Sequence, residues 1–309
     1  MRKSILTLSV LSALALPNAV MAEEAAPAPE AKAPESNWSL TTNIGFVSDY
    51  YFRGISQSWH KPAVQGGIDV AHSSGFYAGV WGSNISNNTY PEATSEIDLY
   101  AGYNGTIKAI DGLGYTVGLY SYFYPGGNWD KYSAPDGTEV TPRGGRWDTV
   151  EANFGLSYKW VSAKASVTLT DWFGAEKKTG WDGGTEGSTY LELNAAYPLP
   201  WWNLTLIGHV GHMNVAGKLD PTFEDVPGYL ASSSTSGETD PDFTDYKIGL
   251  SKAFKIFNAD GWNAGLYYVG ASNEDYWGQR GYGGSSFSGS TETKELNDGR
   301  FVVTINRTF

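Results

Sequence analysis

The residues of this chain that could do chemistry are charged or hydrogen-bonding groups at alternate positions, not a compact catalytic motif. Asp49, Arg53, Gln65, Asp69, Glu96, Asp98, Glu151, Lys164, Glu192, His209, Asp245 and Lys247 lie on or beside the polar faces of alternating stretches. Carboxylates outnumber Arg53, Lys164 and Lys247 among them. If these side chains surround an aqueous path, the path favours cations. The other arrangement is an ion-pair network that fills the interior. Arg53 is expected to pair with an inward carboxylate such as Asp69.

Other chemistry is scarce. The 309 residues include no cysteine, which excludes a disulfide framework, a zinc–thiolate site, an iron–sulfur cluster and a thiol nucleophile. His209 and His212 are three apart on an alternating stretch, so they point to opposite faces and cannot chelate together. No metal site and no cofactor are expected. No nucleophile elbow, zinc-protease motif, phosphate loop or EF-hand is present. A barrel esterase would need Ser, His and a carboxamide together, and strand spacing singles out no such triad, so no catalytic residue is expected. The net charge of −12 argues against a nucleic-acid partner, which needs a basic face.

The elements that position these groups follow from a hydrophobic period of two. Phe301, Val303, Ile305 and Phe309 share one face, against Val302, Thr304, Asn306 and Thr308 on the other, with Arg307 breaking the apolar face. Leu113, Tyr115, Val117, Leu119 and Phe123 alternate with Gly114, Thr116, Gly118, Tyr120 and Tyr122. Twelve such strands are expected, over 38–48, 61–72, 76–86, 95–106, 113–124, 148–159, 161–172, 188–197, 202–215, 243–254, 261–272 and 299–309. Connections alternate short and long. The short ones are Ser73 to Gly75, Asp111-Gly112, Lys159-Trp160, Pro198 to Pro200 and Asn258 to Asp260. This is the pattern of an all-β, closed, antiparallel transmembrane β-barrel with short periplasmic turns and long extracellular loops. No stretch approaches the length of a membrane-spanning helix, and the mean hydropathy of −0.33 is the average of an apolar and a polar face.

Dimensions agree. Eight residues separate Phe301 from Phe309; at ~3.3 Å per residue and ~40° tilt this is roughly 20 Å, close to the ~25 Å apolar band of such barrels. Trp38, Trp160, Trp202, Trp262 and Phe309 fall at strand ends next to short turns. Tyr50, Phe52, Trp147, Trp172 and Tyr268 fall near long loops. With Tyr115, Phe123 and Phe301 they are expected to form membrane-interface girdles. Twelve strands fall between a filled eight-stranded interior and a sixteen-stranded aqueous channel. The inward glycines either widen this interior and bend strands, or lie beneath interior aromatics. The acidic, Ser/Gly-rich long loops (Asp220, Glu224, Asp225, Glu238, Asp240, Asp242; Glu274, Asp275, Glu292, Glu295) are expected to be solvated, with divalent-cation bridging the sharper reading.

Residues 1–22 have the form of a cleaved signal peptide, with Arg2 and Lys3, an apolar Ile5–Ala15 stretch and a Val20-Met21-Ala22 site. The Ala/Pro/Glu-rich residues 23–36 read as a disordered linker and 37–309 as the barrel domain.

Three segments carry a family resemblance: Ser48 to Ser58 (SDYYFRGISQS), Pro62 to Asp69 (PAVQGGID) and Gly75 to Asn84 (GFYAGVWGSN). They resemble the TorF family, proteobacterial proteins with an inferred porin role. The strong match covers residues 40–105, with looser support at Glu96 to Gly102, Tyr122 to Pro125 and Tyr190 to Pro198. The resemblance implies an outer-membrane location in a Gram-negative bacterium and a transport role, with no established substrate and no catalytic residue. The terminal Phe309 is similar to the signal read by the barrel-assembly machinery, from which Arg307 departs. The expected function is passive diffusion of small hydrophilic solutes, with outer-membrane lipid as the surrounding partner. A homo-oligomer is allowed, although nothing marks an interface. The alternatives are a closed structural or surface barrel and a barrel lipid hydrolase.

Overall fold

The structure is a computed structural model that describes residues 36–90, 92–128, 145–179, 181–218, 240–274 and 294–309. The expected signal peptide and nearly all of the linker lie outside the described residues, as do Asp220, Glu224, Asp225, Glu238, Asp275 and Glu292 of the acidic loops.

The strands are β1 (Trp38–Val47), β2 (Tyr51–Phe52), β3 (Ile55–Ser56), β4 (Ala63–His72), β5 (Phe76–Asn84), β6 (Ser95–Thr106) and β7 (Leu113–Phe123). They continue as β8 (Thr149–Tyr158), β9 (Val161–Thr168), β10 (Thr189–Pro198), β11 (Leu204–Asn214), β12 (Phe243–Ile256), β13 (Ala259–Ala271) and β14 (Arg300–Thr308). β1 and β4 to β14 form a closed barrel in sequence order, while β2 and β3 form a separate hairpin. Closure pairs β1 with β14 antiparallel, from Asn43 opposite Thr308 to Val47 opposite Thr304. Phe309 N–H donates to the Thr42 carbonyl at 2.8 Å, which ties down the last residue. Closure leaves no open sheet edge, so the strand hydrogen bonds are satisfied within the fold.

The twelve expected strands are all present, and the differences lie at their ends. The expected 161–172 strand stops at Thr168, after which the chain turns through Trp172–Gly174 with Phe173 at φ 46°. β11 starts at Leu204 because Trp202 and Asn203 adopt positive φ values of 60° and 53°. The β12–β13 turn is Phe257-Asn258, at φ 47° and 64°, not Asn258 to Asp260. Two consecutive positive φ values are the type I′ geometry whose twist suits a hairpin.

The pleat sorts the side chains. Phe301 is 72% exposed and its neighbour Val302 only 5%. Leu40, Ile44, Leu191, Leu193, Ile248, Leu250, Val303 and Ile305 are likewise exposed on the outer surface. Arg307 also points outward, and its guanidinium carbon lies 4.3 Å from the Phe309 ring and 5.5 Å from the Trp262 ring. The interruption of the apolar face is therefore a cation covered by aromatic rings. Among the described residues no helix is long and apolar enough to cross a membrane.

The aromatics divide differently from the expected girdles. Trp38, Trp160, Trp202, Phe301 and Phe309 are exposed on the outside, and Tyr115, Phe123, Trp262 and Tyr268 are half-buried on the same face. Trp172, Trp147 and Tyr50 are instead buried, and Phe52 packs against the cluster they belong to. They sit in loops folded over the long-loop end, where loop packing and not strand alternation decides the direction of a side chain. Several inward glycines lie beneath rings: a Cβ at Gly79 would strike the Tyr100 ring, and one at Gly211 the Tyr190 hydroxyl.

Candidate functional site in the barrel interior

The loop after β1 does not stay outside. Its β2–β3 hairpin turns at Arg53 and Gly54, with φ of 47° and 73°. The Gly54 position is closed by the Gly270 carbonyl and the side chains of Asp245 and Ala271, so only glycine fits. The hairpin tip therefore rests on the β12–β13 wall and carries Arg53 into the interior. A non-glycine residue with positive φ stores strain, and the contacts of Arg53 offset it.

Arg53 donates to Glu151 twice, Nη1 to Oε1 at 2.9 Å and Nη2 to Oε2 at 2.7 Å. Its guanidinium carbon lies 4.0 Å from the Tyr190 ring and 4.8 Å from the Phe52 ring. Burial opposes the positive charge, but the Glu151 carboxylate outweighs it and holds the guanidinium pKa above its ordinary value. The expected partner Asp69 accepts instead from the Tyr100 hydroxyl. Asp69 is on β4, whereas the hairpin tip leans toward the opposite wall; strand spacing alone carries no sign of that direction.

The wall of β5 to β8 is aromatic and acidic. Tyr100 and Tyr120 stack with ring centroids 4.9 Å apart and planes 6° apart, and Tyr122 follows at 5.0 Å. Glu96 accepts from Tyr124 at 3.1 Å, and Glu151 from Tyr122 at 3.4 Å. Asp98 lies on the same inward face as Glu96. Above them Tyr90 stacks on Tyr124 at 4.4 Å and meets Trp147 edge-on at 5.3 Å.

The wall of β9 to β12 holds charges of both signs. Lys164 Nζ lies 2.6 Å from Glu192 Oε1. His209 Nε2 lies 2.7 Å from Asp245 Oδ1, and its Nδ1 lies 2.6 Å from Asn194 Oδ1. The Tyr190 hydroxyl donates to Asp245 Oδ2 at 2.8 Å. Lys247 faces the Tyr267 ring at 5.6 Å. Gln65 Nε2 donates to Ser83 Oγ at 3.4 Å on the β4–β5 side.

Asp49 is in the loop, not on a wall. Its Oδ1 accepts from Ser56 Oγ at 2.6 Å and from Ser58 Oγ at 3.0 Å, and its Oδ2 lies 2.6 Å from His60 Nδ1. His60 Nε2 faces the Glu295 carbonyl at 2.8 Å. A Ser-His-Asp triad needs the second imidazole nitrogen free to take the serine proton; here a backbone oxygen occupies it, so this grouping ties two loops together.

Sequence reasoning missed the groups that bind these charges: Tyr100, Tyr122, Tyr190 and Met213, whose Sδ lies 3.6 Å from Arg53 Nη1. The alternation does place Tyr120 and Tyr122 on the inward face, which is the signal for the tyrosine ladder. Among the described residues no three His, Cys, Asp or Glu side chains gather as a metal site.

Among curated protein sequences, none matches this chain. Solved structures of similar shape include an outer membrane channel from Pseudomonas putida F1, at 12% identity and TM-score 0.45, covering 93% of this chain and 100% of that one. The NanC porin aligns at 11% identity and TM-score 0.43, covering 88% and 99%. The KdgM porin aligns at 7% identity and TM-score 0.42, covering 87% and 99%. At sequence level a family model matches residues 31–309, and the chain belongs to that family, Gcw_chp, bacterial proteins of unknown function.

Proposed function

We propose that this protein is an outer-membrane channel for small hydrophilic solutes, with a preference for cations. The observation that carries this is the sorting of side chains by a closed barrel: exposed apolar residues outside, charged and hydroxyl groups inside. An apolar outer band suits lipid, and a water-soluble barrel would have no use for it. In this reading residues 1–22 are a cleaved export signal, 37–309 fold as the barrel, and Phe309 is the end of the strand read by the assembly machinery. The outward aromatics from Trp38 to Phe309 meet the lipid interfaces. The wide family resemblance to TorF porins is part of the same proposal. The aromatic and acidic wall supports the cation preference, because no strand from β5 to β8 turns a basic residue inward.

A second reading has its own support. Arg53, Glu151, Tyr122 and the loop aromatics are buried, which favours a barrel closed at its long-loop end by the β2–β3 hairpin. Planar-bilayer recordings separate the two. A channel gives unitary conductance and a cation-selective reversal potential in a KCl gradient. Silence in both the natural protein and an Arg53→Ala variant that still folds would leave the closed structural barrel. Conductance only in the variant would identify the hairpin as the closing element.

A further inference from the structure

We infer that Glu96 and Asp98 form a binding site for one hard divalent cation of the calcium class, inside the barrel beneath the external loops. The site does not require a conducting pore. Glu96 and Asp98 are two apart on β6 and share its inward face, so their Cα atoms are about 7 Å apart. They are 1% and 4% exposed. Neither takes part in an ion pair among the described residues. Arg53, the cation that enters this side of the interior, is held by both oxygens of Glu151.

Their oxygens are also short of partners. Glu96 Oε1 accepts from Tyr124 and the Tyr50 hydroxyl also faces this carboxylate, but Oε2 is sealed off without a hydrogen bond. Asp98 Oδ1 is sealed off in the same way. The Tyr120 hydroxyl, on the neighbouring strand β7, is a third buried group with no partner. Native interiors leave few such atoms. Burying two ionised carboxylates without a counter-ion costs several kcal/mol each. One divalent cation neutralises both charges and occupies the orphaned oxygens.

The donor set selects the cation. It is all oxygen, with no sulfur or imidazole in the group, which suits calcium or magnesium and not zinc or copper. Two carboxylates with neutral hydroxyls to complete the shell make a weak site, in the range of roughly 0.1–1 mM typical of exported calcium modules.

Terbium, a luminescent calcium surrogate, tests this on the full folded chain in detergent, with excitation through the surrounding tyrosines. Loop carboxylates bind terbium too, so the readout is the difference from the variants Glu96→Gln and Asp98→Asn. The expected result is a saturable emission component that millimolar CaCl2 displaces and KCl of equal ionic strength does not, lost in both variants. Equal emission in the natural protein and both variants, or displacement by KCl, would overturn the site. Heat-modifiable gel mobility confirms that each variant is folded. If neither neutral variant folds, Asp98→Glu keeps the charge and is expected to weaken calcium displacement on the order of tenfold; unchanged affinity there would equally overturn the proposal. Emission without conductance sinks the channel reading and keeps the site; conductance without the specific emission does the reverse.

Discussion

The two walls of the barrel interior solve the burial of charge in opposite ways. On β9 to β12, Lys164 meets Glu192 and His209 meets Asp245, so the carboxylates of that wall find their partners on the wall itself. On β5 to β8, the charged inward residues are all carboxylates, set among tyrosines, and among the described residues the cation that reaches Glu151 arrives from a loop. A wall that pairs its own carboxylates can be built by strand register alone. A wall that depends on Arg53 needs the hairpin in place, so its electrostatics are tied to the position of a loop segment. That coupling makes the β5 to β8 wall the sensitive one.

The largest effect should come from cutting the bridge between the walls. Arg53→Ala leaves Glu151 buried and unpaired and is expected to cost about 3–5 kcal/mol in denaturant unfolding from lipid. Adding Glu151→Gln should recover part of this loss; a double variant as unstable as the sum of the singles would show that the two residues do not act as a pair.

Tyr190→Phe probes the ring that carries Arg53 on one side and bonds Asp245 on the other. Loss of the hydroxyl leaves an Asp245 oxygen underbonded, for about 1–3 kcal/mol. An unfolding midpoint unchanged from the natural protein would dissociate the bond from stability.

A double-mutant cycle of Lys164→Met and Glu192→Gln should give a coupling of about 0.5–3 kcal/mol, the range for contacting charges. Zero coupling would mean that the second wall is held by hydroxyl and imidazole contacts, not by this pair.

The smallest effect belongs to the loops. Burial raises the Asp240 carboxyl pKa, but the Lys218 ammonium at 3.0 Å and the Asp242 N–H at 3.2 Å together outweigh it and hold it below the ordinary value. A depressed folded pKa stabilises above the unfolded carboxylate range, and the gain is lost as pH falls through the folded pKa. At this exposure solvent screening keeps it under about 1 kcal/mol. Lys218→Met should therefore flatten the acid side of the unfolding profile only slightly; a large shift would mean that this pair anchors the loop.

Much of this was legible in residue order. Alternation through Phe301, Val303 and Ile305 needs only the pleat, a property of the local backbone, and it set the strands, their faces and the inward placement of Glu96, Asp98, Glu151 and Asp245. The aromatic loops were not legible. Trp147 and Trp172 are as suited to an interface as to an interior, and a loop carries no period to tell the two apart. Arg53 was singled out, but its partner was misplaced from Glu151 to Asp69. Those residues lie 98 and 16 positions away along the chain, and only the direction of the hairpin tip chooses between them.

The sequence by itself determined a closed twelve-stranded barrel with an apolar outside and a charged inside, because a period of two acts residue by residue. The tertiary structure alone decided which charges meet, that the β2–β3 hairpin turns inward, and that Glu96 and Asp98 lie buried with no basic side chain paired to them among the described residues. Those outcomes depend on barrel curvature and loop packing, which bring together groups that no local spacing relates.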